Sequence, residues 1–224
     1  GAIPVPVYQD SVPDEMQYIY QHAEARYAIV ENQEQVDKLL EIRDRAPDLE
    51  HIVYKFPRGM RNYDQPFLDL LADIEERGRA FDRENPDFYE DSVAQSTGAD
   101  IAIMLYTSGT TGRPKGVMLS HGAIIANCKG AHRILVELGL DDEVFLSFLP
   151  LSHSYEHTAG LMFPISIGAQ IYYAEGVDKL AGNMVETSPT LMTAVPRLYE
   201  TMHGRIVRGV RQSGGLREKL FNKA

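Results

Sequence analysis

The chain holds one cysteine, Cys128, and no tryptophan. A single thiol closes no intrachain disulfide and builds no multi-cysteine zinc or iron–sulfur site, a usage that fits a reducing compartment. No run approaches the roughly 18 consecutive apolar residues of a membrane span. Residues 1–10, GAIPVPVYQD, lack the basic start of a signal peptide. Basic side chains are also short: 22 Lys and Arg stand against 32 Asp and Glu, for a net charge of −10. Non-specific nucleic-acid binding needs a basic surface to neutralise phosphates, so nucleic acid is not an expected partner. Net charge does not exclude a local site for an anionic nucleotide.

What is present is the composition of an ordinary folded protein: 44% apolar and 24% charged residues over 224 positions, room for one large domain or two small ones. Residues 2–8 read as a buried extended strand with edge-type prolines. Ser11-Val12-Pro13-Asp14 reads as a helix start with Ser11 as cap, and Met16, Ile19, Tyr20 and Ala23 fall on one helical face. Tyr27–Val30 reads as a strand, 34–45 as a helix and His51–Phe56 as a strand. This alternation predicts a parallel sheet with crossover helices. Phe67, Leu70, Leu71 and Ile74 predict a helix to about Gly78, and the acidic stretch 82–99 a surface connection. Further strands are expected at 101–106, 117–119, 143–149, 170–174 and 190–195, with helices at 120–138, in part of 154–167, at 178–185 and at 196–210. The expected fold class is α/β, with layered, mostly parallel sheets flanked by helices. The expected subdomains are 1–139 and 140–224, divided near Gly139-Leu140-Asp141-Asp142.

The informative stretch is Tyr106-Thr107-Ser108-Gly109-Thr110-Thr111-Gly112-Arg113-Pro114-Lys115-Gly116. A buried strand delivers a loop with glycines, four hydroxyl side chains within five residues, and a closing lysine. Glycines let backbone N–H groups turn toward an anion, hydroxyls donate to phosphate oxygens, and lysine supplies a mobile point charge. Together these suit a polyphosphate. The ordinary P-loop, G-x-x-x-x-G-K-[ST], does not fit, because Gly112 is followed by Arg113 and Pro114. A solvated linker needs neither the apolar strand before the loop nor the Pro-Lys-Gly after it.

The eleven residues resemble the signature loop of the acyl-adenylate-forming superfamily, which includes acyl-CoA synthetases, luciferase-like enzymes and peptide-synthetase adenylation domains. The resemblance implies that Thr107, Ser108, Gly109, Thr110, Thr111, Gly112 and Lys115 bind the phosphates of ATP, with Lys115 also stabilising charge in the reaction. Leu149-Pro150-Leu151-Ser152-His153-Ser154-Tyr155-Glu156-His157, Val195-Pro196-Arg197-Leu198-Tyr199-Glu200 and the opening Gly-Ala-Ile-Pro-Val-Pro-Val-Tyr are similar to the long-chain branch. By that likeness His153 and Tyr155 border the substrate pocket. The implied parent reaction joins a long-chain fatty acid to CoA through an acyl-adenylate, using ATP and Mg²⁺. Its location is expected to be the cytoplasm or the periphery of a membrane. The family's adenine, ribose and carboxy-terminal lysine segments are not found in the sequence, so the chain reads as an internal piece of the large N-terminal domain, inactive alone. Ligases for other carboxylic acids and a non-catalytic nucleotide-binding module are the alternatives.

His153 and His157 around Glu156 also spell H-x-x-E-H, the string of inverted zinc peptidases, but no third ligand is identifiable and the expected metal-site residues are none. His121 reads as a structural residue near the loop; His22, His51, His132 and His203 read as surface or packing residues without sequence partners. Cys128 reads as a small packing residue. Arg205, Arg208, Arg211, Arg217 and Lys219 read as a solvated basic tail, with CoA or anionic lipid as the alternative contact.

Overall fold

The computed structural model describes residues 1–107, 112–213 and 221. It forms two compact units: Gly1–Gly130 with Ser152–Ser154, and the described residues of Ala131–Leu151 and Tyr155–Ala224. The fold is α/β, as the alternation of elements predicts.

In the first unit, helix α1 (Pro13–His22) leads to strand β1 (Tyr27–Val30), helix α2 (Gln33–Ile42), strand β2 (His51–Tyr54), strand β3 (Leu68–Leu70) and helix α3 (Leu71–Glu84). The three strands pair in parallel in the order β1-β2-β3. Apolar positions at helical spacing explain the packing. Met16 and Tyr20 from α1, and Val36, Leu39 and Ile42 from α2, meet Ala28, Leu49 and Ile52 in one core. Burial pushes the Tyr20 phenol up to about 12. Asn32 caps α2 by accepting from the Gln35 N–H at 3.3 Å.

Several expectations are corrected. Residues 2–8 form no strand, and Ile3 is 46% exposed. Pro4 and Pro6 have no N–H to give a ladder; the Pro4 carbonyl instead accepts from the Met104 N–H at 3.0 Å. The cap of α1 is Val12, without a side-chain bond, and Ser11 is buried. Phe67 and Leu70 are not helical: Leu68 and Leu70 face Ile52 and Tyr54 across a parallel ladder, and the helix begins only at Leu71. The acidic connection contains an exposed helix, α4 (Phe88–Gln95).

Strands β4 (Ile101–Thr107) and β5 (Lys115–Ser120) form an antiparallel pair, followed by α5 (His121–Val136). Ser120 caps α5, its Oγ accepting from the Ala123 N–H at 3.2 Å, and Cys128 is buried on this helix. In the second unit β6 (Val144–Ser147) and β7 (Gln170–Tyr173) pair in parallel, with α6 (Phe163–Ile167) between them, then α7 (Leu180–Thr187) and α8 (Pro196–Ser213). Leu146, Leu180 and Leu198 centre its core. The strand expected at 190–195 reduces to one parallel bridge, Phe145 to Leu191. Arg205, Arg208 and Arg211 are exposed on α8, and Arg217 and Lys219 lie outside the described residues.

Asp69 of β3 ties the sheet to α3. It accepts from His51 Nδ1 at 3.0 Å and from Arg77 Nη2 at 2.5 Å. Burial alone would raise its pKa, but the bonds from Arg77 and His51 prevail and hold it below the ordinary carboxylate value. A depressed folded pKa means that the unfolded chain binds the proton more readily in acid. Asp69 therefore contributes stability at neutral pH that is lost as pH falls below about 4. Urea unfolding of Asp69→Asn should show a deficit of no more than about 1 kcal/mol at pH 7, because both partners are largely exposed, and the gap should close in acid. Leu39→Ala, at a fully buried position, should lose about 2–5 kcal/mol in the same measurement.

Candidate functional site

The β4–β5 ladder sets the geometry of the phosphate-type loop. Tyr106 lies opposite Gly116, and Thr107 opposite Lys115, so the last strand residue before the loop and the first after it are cross-strand partners. Thr107, Gly112 and Lys115 are exposed. Gly112 has φ +91°, a left-handed conformation that a Cβ disfavours. Ser108, Gly109, Thr110 and Thr111 lie outside the described residues. Leu105 and Ile103 anchor the delivering strand at 0% and 2% exposure.

Gly116 has a second role. A Cβ there would lie 2.9 Å from Met104 Sδ and 3.3 Å from Tyr106 Cζ, so glycine at 116 leaves room for both side chains across the ladder. Burial, then the neighbouring Tyr18, raise the Tyr106 pKa, and its hydroxyl stays protonated at neutral pH. That hydroxyl shares a 2.7 Å hydrogen bond with His22 Nδ1, while Tyr18 OH donates to the Pro114 carbonyl at 3.0 Å. Sequence reasoning missed both α1 residues. Their only signal was the i,i+4 spacing of Tyr18 and His22, off the apolar stripe. His51 likewise has a partner, Asp69.

The Leu149–His157 segment divides in the structure. His153 and Tyr155 are exposed, whereas Glu156 is 0% exposed and His157 is buried. A π-helical turn, Glu156–Met162, begins at Glu156. Such turns are rare and recur at functional sites. Ser147 Oγ donates to Glu156 Oε1 at 2.6 Å, and Thr193 Oγ1 donates to Oε2. One carboxylate thus joins β6, the π turn and the segment before α8. Burial lowers the His157 pKa, only partly offset by its hydrogen bond to the Leu151 backbone. Within the H-x-x-E-H string, Glu156 and His157 are thus engaged internally, while His153 is exposed. Among the described residues no three His, Cys, Asp or Glu side chains converge to hold a metal.

The sequence model of a family described as AMP-binding enzyme matches residues 1–222. The long-chain-fatty-acid–CoA ligase ACSBG2 of Homo sapiens is 35% identical over 228 residues, covering 99% of this chain and 33% of that protein. A long-chain-fatty-acid-CoA ligase (FadD1) from Archaeoglobus fulgidus superposes with a TM-score of 0.65 at 19% identity, over 94% of this chain and 37% of that one. The anthranilate CoA ligase AuaEII, solved with anthranoyl-AMP, gives a TM-score of 0.64 at 24% identity, over 89% and 36% respectively. The fold is thus that of the N-terminal domain of adenylate-forming ligases. The chain belongs to the AMP-binding enzyme family. It spans about a third of the length of the curated relative it matches.

Gly160 completes the Glu156 clamp, since a Cβ at 160 would fall 2.3 to 2.9 Å from the Glu156 carboxylate atoms. Gly160→Ala should lose about 1–3 kcal/mol in chemical denaturation. In a Glu156→Ala background, where the space is vacant, the same change should be close to neutral. A double-mutant cycle measures this, and additivity of the two changes would refute the clamp.

Proposed function

We propose that this chain supplies the ATP-phosphate segment of a long-chain fatty-acid–CoA ligase. The observation that carries the reading is the unbroken Tyr106–Gly116 segment, held as a hairpin in which Thr107 faces Lys115. Thr107, Ser108, Gly109, Thr110, Thr111, Gly112 and Lys115 take the β- and γ-phosphates of ATP, and His153 and Tyr155 border the acyl pocket. The subdomain division at 139/140 and a cytoplasmic or membrane-peripheral location belong to the same reading. No helix among the described residues is long and apolar enough to cross a membrane.

The chemistry proceeds in two steps. A fatty carboxylate oxygen attacks the α-phosphorus of ATP, and the bond to the bridging oxygen breaks, giving acyl-adenylate and pyrophosphate. The thiol of CoA then attacks the acyl carbon and AMP departs. A carboxylate is a weak nucleophile, so the protein acts chiefly by positioning and by neutralising charge on the leaving group. Lys115, exposed at the mouth of the hairpin, places its ammonium toward that charge without need of a general base. Mg²⁺, if bound together with ATP, would supply further neutralisation of phosphate charge. Residues 106–116 contain no carboxylate to ligate the ion, and no residue of this chain is assigned to it.

ATP–pyrophosphate exchange by the protein expressed from its full reading frame, with a panel of carboxylic acids, tests the proposal. Long-chain acids should drive exchange, and Lys115→Ala should reduce it by about 10- to 100-fold. The fold is shared with an anthranilate ligase, so exchange with aromatic or amino acids alone would move the substrate class. Nucleotide binding without exchange would favour a non-catalytic module.

A further inference from the structure

Helix α1 presents two faces. Met16, Ile19 and Tyr20 are buried, and the helix is tied to the 3-10 turn that follows α2 (Arg43–Arg45) by Gln21 Nε2 donating to the Arg45 carbonyl and by an Arg45–Asp14 pair at 3.3 Å. Tyr18 and His22, one turn apart, project from another face toward the β4–β5 hairpin. Their rings stack at 5.4 Å with an interplanar angle of 26°. Both meet the Tyr106 ring edge-on, at 6.4 Å and 5.7 Å between centroids. Tyr18 OH reaches the Pro114 carbonyl at 3.0 Å, His22 Nδ1 reaches Tyr106 OH at 2.7 Å, and the Arg113 guanidinium lies 5.7 Å from the Tyr18 ring centroid.

We infer that Tyr18 and His22 are positioning residues for the phosphate-binding segment, holding Tyr106 on its entering strand and Arg113-Pro114 on its returning side. The inference rests on the assignment of residues 106–116 to the ATP phosphates. Its physical basis is placement: Tyr106 and Pro114, the chain neighbours of Thr107 and Lys115, are each held by a hydrogen bond to a side chain of α1, and groups already in place need less ordering on binding. The hairpin ladder sets the separation of the flanks at Thr107 and Lys115. It leaves Arg113 and Pro114 outside the strands, where the Tyr18 hydroxyl and ring reach them. Gly116 belongs to the same device, because its missing Cβ admits the Tyr106 ring. The bond from Tyr18 is made to a backbone carbonyl, so it fixes main-chain position whatever side chain follows. Neither Tyr18 nor His22 need touch ATP; each acts through the segment it holds.

The test uses the protein from the full reading frame, with two readouts: the dissociation constant of a non-hydrolysable ATP analogue, and the KM values for ATP and for the acid in pyrophosphate exchange. Tyr18→Phe keeps the ring and removes only the bond to Pro114; His22→Leu removes the bond to Tyr106. Each should weaken analogue binding and raise the KM for ATP by about five-fold, as loss of one net hydrogen bond implies. The KM for the acid should stay unchanged, and the thermal midpoint of the nucleotide-free protein should fall by no more than the few degrees that loss of one hydrogen bond implies. His22→Asn, whose amide can take the place of Nδ1, should restore most of the affinity. Unchanged nucleotide constants would overturn the inference. So would a parallel loss of stability, acid affinity and ATP affinity, which marks a purely structural role. If the wild type binds the analogue but no acid drives exchange, the ligase reading falls, and the analogue constants alone decide the role of Tyr18 and His22. If the wild type binds no nucleotide, both fail.

Discussion

The antiparallel β4–β5 ladder is the constraint on which the candidate site depends. The residues that flank the loop, Thr107 and Lys115, are placed by the strands that carry them. Burial of Ile103 and Leu105 anchors one strand, and pairing from Ile101–Ser120 to Thr107–Lys115 carries that order to the mouth of the loop. Glycine at 116 leaves room for Tyr106 across the ladder, and Tyr106 in turn gives α1 a surface to grip. Core packing behind α1 is thus linked, contact by contact, to the placement of a mobile cation at Lys115.

The second unit solves a different problem with a buried charge. Glu156 is removed from solvent with no ion pair among the described residues, and two hydroxyls, from Ser147 and Thr193, donate to its oxygens. Burying a carboxylate is unfavourable unless its lone pairs are satisfied. The arrangement therefore works only if β6, the π turn and the segment before α8 come together in one register. That makes the network specifying as well as stabilising, since a slip of any element would leave an unpaired buried charge. Gly160, one helical turn on, leaves the room that the carboxylate fills.

Much of the chain was legible in its sequence because the governing interactions are local. The strand at Tyr27–Val30, the helix expected at 34–45 and found at Gln33–Ile42, and the strand expected at 51–56 and found at His51–Tyr54 follow from local apolar pattern, and Ser120 at the start of α5 follows from the chemistry of a hydroxyl cap. The errors fall where long-range pairing overrides local pattern. Leu68 and Leu70 fit either a helical face or an alternating strand, and only the neighbouring β2 selects the strand. Residues 2–8 have strand-like alternation, yet their prolines and lack of a ladder partner leave them as extended chain. Residues 190–195 contribute a single bridge in place of a strand.

The sequence by itself determined the chemistry available to this protein. The glycines, hydroxyls and lysine on which the proposed phosphate role rests are consecutive in Tyr106–Gly116, so they are legible without the fold. Tertiary structure alone decided which distant groups hold that loop and which histidines stay solvent-facing. His22 and Tyr106 are 84 positions apart, Tyr18 and Pro114 are 96, and Thr193 meets Glu156 across 37. Nothing in local propensity encodes such pairs. They arise from the way an amphipathic helix, once its apolar face is buried, must place its remaining side chains against whatever the sheet brings alongside.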